Sequence, residues 1–171
     1  MDSLKINQPA PNFSLPDLQG NTRDLEDYRG QVIVIDFMSA ECPWSARADK
    51  GLLAALQPLG EQVVFLPVAS NANETPEQIS EAAQERELPR VLLDREQIVA
   101  RRYQAKTTPH IFIVDAQGRL RYRGAYDDVT FRKREPTRAY ARAAVQALLA
   151  GKDPQPAQTQ PYGCTIVLHS E

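Results

Sequence analysis

An α/β fold, with a mixed central sheet flanked by helices, is predicted by three features of this 171-residue sequence. Two runs, Val32–Phe37 and Val63–Ala69, are β-branched and almost continuously apolar, the pattern of strands buried on both faces of a parallel sheet. Helical segments separate these runs, and strand–helix alternation implies parallel neighbours. A late strand–turn–strand, His110–Val114, Asp115-Ala116-Gln117-Gly118 and Leu120–Arg123, adds an antiparallel hairpin.

The elements follow in order. Met1–Asp24 holds Pro9, Pro11 and Pro16 and reads as loop with short extended pieces, ending in a turn at Gln19-Gly20-Asn21. Leu25–Gly30 is a short helical turn closed by its glycine. Pro43 suits a first helical position, and Leu52, Leu53, Leu56 and Leu59 fall at helical spacing, so a helix is expected over Pro43–Leu59. Thr75-Pro76-Glu77-Gln78 is a capping box that opens a helix to about Glu87. Val91–Leu93 is a short strand and Gln97–Tyr103 a short helix. Thr137–Ala150 is a helix rich in Ala and Leu that stops at Gly151. Lys152–Pro161 is a polar, Pro-rich and flexible linker. The tail beyond it turns apolar again at Ile166, Val167 and Leu168, which gives it a reason to dock. The expected organisation is one domain over residues 1–151 and a cysteine-containing tail over 152–171.

Composition narrows the function classes. Lys and Arg number 20 against 22 Asp and Glu, a net charge of -2, which argues against a nucleic-acid or anionic-membrane binder. No apolar run approaches the ~20 residues that span a bilayer. Met1-Asp2-Ser3-Leu4-Lys5 lacks the basic and apolar regions of a secretory signal, so a cytoplasmic location is expected. Two cysteines, Cys42 and Cys164, exclude a disulfide-rich scaffold, and with His110 and His169 far apart no zinc-ligand spacing exists. No metal or cofactor is expected.

Cys42 follows a buried strand and a short loop and directly precedes a helix. Unpaired N–H groups and the helix dipole stabilise a thiolate at that position, which makes Cys42 a candidate nucleophile, with Glu41 acting against it. The alternative is a buried structural cysteine. Asp36 sits among apolar residues on the strand six positions earlier; desolvation there would raise its pKa and suit it to proton transfer. Cys164 is either a resolving thiol or a small apolar residue in a docked tail. Trp44 is a contact for partners or a packer at the helix start. His110 reads as a satisfied core residue, and Asp127-Asp128 and Arg132-Lys133-Arg134 as solvated loop.

Several segments carry a resemblance. Ile35-Asp36-Phe37-Met38-Ser39-Ala40-Glu41-Cys42-Pro43-Trp44-Ser45 resembles the active-site segment of the thioredoxin superfamily, and Thr107-Thr108-Pro109 before His110–Val114 resembles its cis-proline strand. Gln8-Pro9-Ala10-Pro11-Asn12-Phe13 through Gly20 is similar to the start of the redoxin branch, which includes alkyl-hydroperoxide-reductase and thiol-specific-antioxidant proteins. Tyr162-Gly163-Cys164-Thr165-Ile166 is similar to the ending of a peroxiredoxin-like bacterial subgroup.

The resemblance implies a thioredoxin fold and thiol–disulfide or peroxide chemistry. Asp36 would be the buried proton acceptor, Cys42 the nucleophile and Cys164 the resolving thiol, with Trp44, Ser39, Thr108 and Pro109 as substrate contacts. Implied partners are a disulfide-containing protein or a peroxide, and an external thiol donor such as thioredoxin or glutathione. Two departures bear on mechanism. Ser45 replaces the second cysteine of Cys-x-x-Cys, so the motif cannot resolve its own intermediate. Ile35 stands where peroxiredoxins carry Pro, and Pro109 where their peroxide-activating Arg falls, which favours thiol–disulfide exchange over peroxide reduction. A peroxidase served by an external thiol and a non-catalytic redox sensor are the alternative functions.

Overall fold

A computed structural model describes residues 4–170, so the expectation at Met1–Ser3 lies outside the described residues. The chain forms, in order, β1 (Ser14–Pro16), β2 (Thr22–Asp24), a 3-10 turn (Leu25–Tyr28), β3 (Val32–Met38), α1 (Pro43–Leu56), β4 (Val63–Ala69), α2 (Pro76–Glu85), β5 (Leu92–Leu93), α3 (Ile98–Arg102), β6 (Thr107–Thr108), β7 (Ile111–Val114), β8 (Leu120–Gly124), α4 (Tyr140–Leu149) and β9 (Cys164–Thr165). The central sheet has the order β5-β4-β3-β7-β8. β3, β4 and β5 are parallel, while β7 runs antiparallel to β3 and forms the hairpin with β8. The expected mixed sheet is present, and the arrangement is a thioredoxin-like fold.

Alternation along the strands divides the core into two layers. Val32, Val34 and Met38 pack with Val63, Phe65, Ile111 and Ile113 beneath α1, α2 and α4. Ile33, Ile35 and Phe37 pack on the opposite face with Leu66, Phe112, Val99 of α3, Tyr103 just beyond it and Phe13 of the N-terminal segment. Asp36 belongs by alternation to the α1 face, and it is wholly buried there.

Several boundaries differ from expectation, and the helix ends are the most informative. α1 ends at Leu56 rather than Leu59, because Pro58 supplies no N–H and Gly60 leaves helical geometry at φ 57°. α2 ends at Glu85, and Glu87 takes φ 59°. α4 starts at Tyr140, not Thr137, because the Thr137 N–H is bonded to the Asp128 carboxylate at 2.9 Å. Asp128, also bonded to Lys133, thus organises this loop, and Asp127 grips Arg47 of α1 at 2.6 and 3.1 Å. The expectation of a solvated acidic pair is corrected.

Lys152–Pro161 is not a free spacer. The Arg123 N–H donates to the Ala157 carbonyl and the Thr159 N–H to the Arg123 carbonyl, both at 3.1 Å, so the segment lies along the outer edge of β8. Gly124, at φ 143°, permits this approach: a Cβ there would stand 2.2 Å from Thr159 Oγ1. Beyond the linker the tail reaches β6, just before β7, where β9 pairs antiparallel with it, Thr107 opposite Thr165 and Thr108 opposite Cys164.

The tail docks on fewer apolar contacts than the sequence suggests. Ile166 is buried at 6% exposure, whereas Val167 and Leu168 remain 42% and 46% exposed. Polar clamps replace the missing apolar anchors. Val167 donates its N–H to Asn71 Oδ1 at 2.8 Å, and its carbonyl accepts from Ala72 N and Gln97 Nε2, each at 2.9 Å. Gln97 also accepts from the His169 N–H at 2.8 Å.

Candidate active site

Cys42 is the N-cap of α1 and is buried, at 3% exposure. Its thiol donates to the Thr108 carbonyl at 3.1 Å. Burial pushes the Cys42 thiol up, but the neighbouring Cys164 thiol, the Ser45 N–H, the Thr108 side chain and the Cys164 main chain outweigh it and leave the pKa below the ordinary value. The N–H groups of the first helical turn act in the same direction. Cys164 moves the opposite way. Burial, the neighbouring Cys42 thiol, the Cys42 charge and Glu74 together push its thiol up to about 12. The two cysteines are free thiols, Cys42 buried and Cys164 exposed.

The cis Thr108–Pro109 bond lies directly after β6. Gly163 crosses it closely: a Cβ on Gly163 would fall 2.2 Å from the Thr108 carbonyl oxygen and 3.0 Å from Pro109 Cδ. Trp44 is half-buried and meets Tyr162 edge to face at 5.0 Å between ring centres. The groove among Trp44, Arg47, Pro109, Tyr126 and Tyr162 retains only about 10 Å³ of space. Residues 162–165 of the tail therefore fill the surface beside Cys42. Replacing Gly163 with Val should lift this segment, and the Cys42 alkylation rate should rise by about tenfold or more, the scale set by losing a buried thiol's cover. An unchanged rate would mean that the tail does not shield the sulfur.

Asp36 lies beneath α1 with neither carboxylate oxygen hydrogen-bonded. Burial raises its pKa well above the ordinary carboxylate range, and the facing carboxyl of Asp49 adds to the rise. Asp49, on the inner face of α1, forms a buried ion pair with Arg86 at 2.9 Å. Burial raises the Asp49 pKa as well, partly offset by the neighbouring Asp36 carboxyl and by the bond from Arg86. Arg86 reaches further and donates to the Ala40 carbonyl at 3.0 Å, two residues before Cys42. Because the folded state holds the Asp36 proton more tightly than the unfolded chain does, its stabilising contribution is complete below the unfolded value of ~3.9 and is lost as pH rises. Asp36→Asn should consequently stabilise the protein by ~1–3 kcal/mol near neutral pH and flatten the decline of stability above pH ~4. Urea unfolding across pH checks this; identical profiles for both proteins would contradict the raised pKa.

Ser39 is buried at 3% exposure and donates its hydroxyl to Glu74 Oε2 at 2.5 Å. Glu74 also accepts from the Ala40 N–H at 2.8 Å and from Asn71 at 3.0 Å. Ser39 is thus committed to bracing the loop before Cys42. His110 is buried and neutral, with burial followed by Lys106 and Arg123 lowering its pKa to about 3. Its Nδ1 accepts from the Lys106 N–H at 3.1 Å. Among the described residues no cluster of His, Cys, Asp and Glu could hold a metal, and no helix is long and apolar enough to cross a membrane.

The structure brings Cys42, Cys164, Thr108, Pro109 and Trp44 to one surface and places Asp36 behind α1. Sequence reasoning missed Asp49, Arg86 and Glu74. A signal existed for two of them. Asp49 shares its helix face with Ala48, Leu52 and Leu56, and Arg86 falls in register with Ile79, Ala82 and Ala83, so each is a charge on an apolar stripe. Glu74 lies in a loop and carries no such mark.

Residues 6–123 match the AhpC/TSA family. The chain belongs to that family. Across 120 residues it is 25% identical to the thiol-disulfide oxidoreductase ResA of Geobacillus thermodenitrificans, covering 70% of this chain and 68% of the relative. It is similar over 99% of its length to the crystal structure of a hypothetical protein from Sinorhizobium meliloti 1021, with 30% identity, a TM-score of 0.89 and 98% of that chain covered. The thioredoxin domain of a thiol-disulfide oxidoreductase from Bacteroides vulgatus is 26% identical with a TM-score of 0.62, covering 69% of this chain and 86% of that domain. The AhpC/TSA match stops at Arg123, so it does not include the linker and tail that complete the site.

Proposed function

We propose that this AhpC/TSA protein is a cytoplasmic thiol–disulfide oxidoreductase whose redox pair is Cys42 and Cys164. The observation that carries the reading is the pairing of β9 with β6, which sets Cys164 opposite Thr108, the residue whose carbonyl accepts from the Cys42 thiol. Ser45 removes the usual second cysteine of the helix motif, and the tail returns one from elsewhere in the chain. The names of the ResA relatives and of the Bacteroides vulgatus domain support disulfide chemistry. The tail ending Gly163-Cys164-Thr165-Ile166 fits the peroxiredoxin-like subgroup that it resembles.

The Cys42 thiolate attacks one sulfur of a substrate disulfide. A Cys42–substrate disulfide forms, and the second substrate sulfur leaves as a thiolate. Cys164 loses its proton and attacks the Cys42 sulfur, expelling the remaining substrate thiolate and forming a Cys42–Cys164 disulfide. The substrate gains two electrons and the protein loses two. Substrate reaches Cys42 when residues 162–165 leave β6, and Trp44 and Pro109 then border the vacated groove. Asp36, protonated at rest beneath α1, gives its proton to the first departing substrate thiolate and recovers one when Cys164 is deprotonated. An external thiol, of the thioredoxin or glutathione class, returns the pair to its reduced form.

Thiol-coupled turnover measured side by side on a disulfide and on a hydroperoxide tests the reading. Turnover of the disulfide, lost in Cys42→Ser, is expected. Turnover confined to the hydroperoxide would replace the reading with a peroxidase, and a single stoichiometric oxidation without turnover would indicate a sensor.

A further inference from the structure

We propose that this protein binds a small oxyanion, a carboxylate or phosphate group on a compact molecule, in a cavity bounded by Lys106, His110, Arg123 and the linker. The site is separate from the cysteine chemistry and does not depend on it.

The cavity measures about 200 Å³, room for roughly seven waters at ~30 Å³ each, and so for a phosphate monoester or a short dicarboxylate. No Asp or Glu lines it. Lys106 and Arg123, its two cations, belong to no ion pair among the described residues. Two positive charges thus share a concave space with no counter-charge, which concentrates anions there.

The donors are held in place before any ligand arrives. His110 is 5% exposed, and its Nδ1 accepts from the Lys106 N–H at 3.1 Å. The proton of the neutral ring therefore sits on Nε2, which has no hydrogen-bond partner among the described residues. The ring packs on Phe112 at 4.5 Å between centres, which fixes its orientation. Arg123 donates from Nε to Gln158 Oε1 at 2.7 Å and from Nη1 to the Leu4 carbonyl at 2.9 Å. These two bonds hold the guanidinium plane and leave Nη2 without a partner among the described residues. The Lys106 main chain is tied down as well, because its carbonyl accepts from the Ile166 N–H at 3.0 Å. Its exposed ammonium, on a flexible stem, can close over an occupant.

The charges converge on the imidazole. After burial, Lys106 and then Arg123 keep His110 neutral, with its pKa lowered to about 3. His110 consequently offers an N–H without being protonated, while Arg123 and Lys106 supply charge-assisted bonds. An oxyanion accepts all three; a cation is repelled, and an apolar molecule leaves the donors unpaired. Gln158 and Gln160 belong to the linker, so an occupant ties the linker to the sheet just before the chain reaches Tyr162 and Cys164.

The test uses the two histidines of the reduced full-length protein, whose ring signals are separated in proton–carbon correlation spectra. His169 lies in the tail, with its ring at the Arg95 carbonyl, and serves as the internal control. The protein is titrated with inorganic phosphate and, separately, with succinate, against sodium chloride at matched ionic strength. The His110 signals should move to saturation with one anion per chain and a Kd of about 1 mM or tighter, while those of His169 stay in place. Saturation by phosphate alone assigns a phosphate ligand, and by succinate alone a carboxylate ligand; saturation by both supports the shared chemistry. Lys106→Glu, at an exposed position, should weaken binding by about tenfold or more, the scale of one charge-assisted hydrogen bond, whereas Lys106→Arg should retain it. The proposal would be overturned by unmoved His110 signals, by movement that chloride matches or His169 shares, or by full affinity in Lys106→Glu.

Discussion

Cys42→Ser should abolish disulfide-reducing turnover, a fall of at least ~10³-fold, the scale on which loss of a catalytic nucleophile is felt. The serine hydroxyl remains protonated where the thiol ionises, so the favourable position at the N-terminus of α1 has no anion to stabilise. Cys164→Ser should behave differently. It should accept one equivalent of disulfide substrate, retain half of that substrate on Cys42 and stall. Thiol-coupled kinetics with mass analysis of the stalled protein separates the variants. Turnover of Cys42→Ser near the parent rate would remove Cys42 from the mechanism.

Arg86→Leu should destabilise the fold by about 3–5 kcal/mol, because it strands the Asp49 carboxylate inside the protein without its counter-ion. The Arg86 side chain is 4% exposed and that of Asp49 is fully buried, so water cannot replace the lost partner. The substitution also removes the donor to the Ala40 carbonyl and loosens the loop before Cys42. Replacing both partners, Asp49→Leu with Arg86→Leu, should cost less than Arg86→Leu alone, since no unpaired charge then remains buried. Urea unfolding of the three variants measures the effect. A loss below ~1 kcal/mol for Arg86→Leu would place the pair in the weak class of surface salt bridges.

The fold was legible where the signal is local. Val32–Met38 and Val63–Ala69 announce buried strands by composition alone, and Thr75 and Gln78 form both halves of the expected capping box. Cys42 was legible because its reactivity is created by immediate neighbours: the end of a strand, a proline and the first turn of a helix. The boundary errors arose where a local breaker competed with periodicity. Leu59 fits the apolar stripe of α1, yet Pro58 and Gly60 end the helix before it.

What escaped the sequence depends on contacts between distant residues. Nothing in Lys152–Pro161 announces that it runs along β8, because that path depends on an exposed strand edge and on the missing side chain of Gly124. Val167 and Leu168 suggested apolar docking, but the clamps are the amides of Asn71 and Gln97, polar residues without any local mark. The Asp36–Asp49–Arg86 chain joins β3, α1 and the end of α2, and only the folded packing shows that one buried acid faces another.

The acidity of Cys42 gives a simpler check on its environment. Its alkylation rate should reach half-maximum below the free thiol value of ~8.5, and Asn in place of Asp36 should leave that midpoint nearer to the parent than loss of the tail does. A midpoint above the free value would mean that burial outweighs the helix terminus and the neighbouring Cys164 and Ser45 groups.

The pairing of the two cysteines decides the account. Reduced full-length protein, treated with one equivalent of diamide and mapped by non-reducing mass spectrometry, should yield a single intramolecular Cys42–Cys164 disulfide. Monomeric protein with both thiols still free, or dimers linked through Cys164 with Cys42 unreacted, would contradict it.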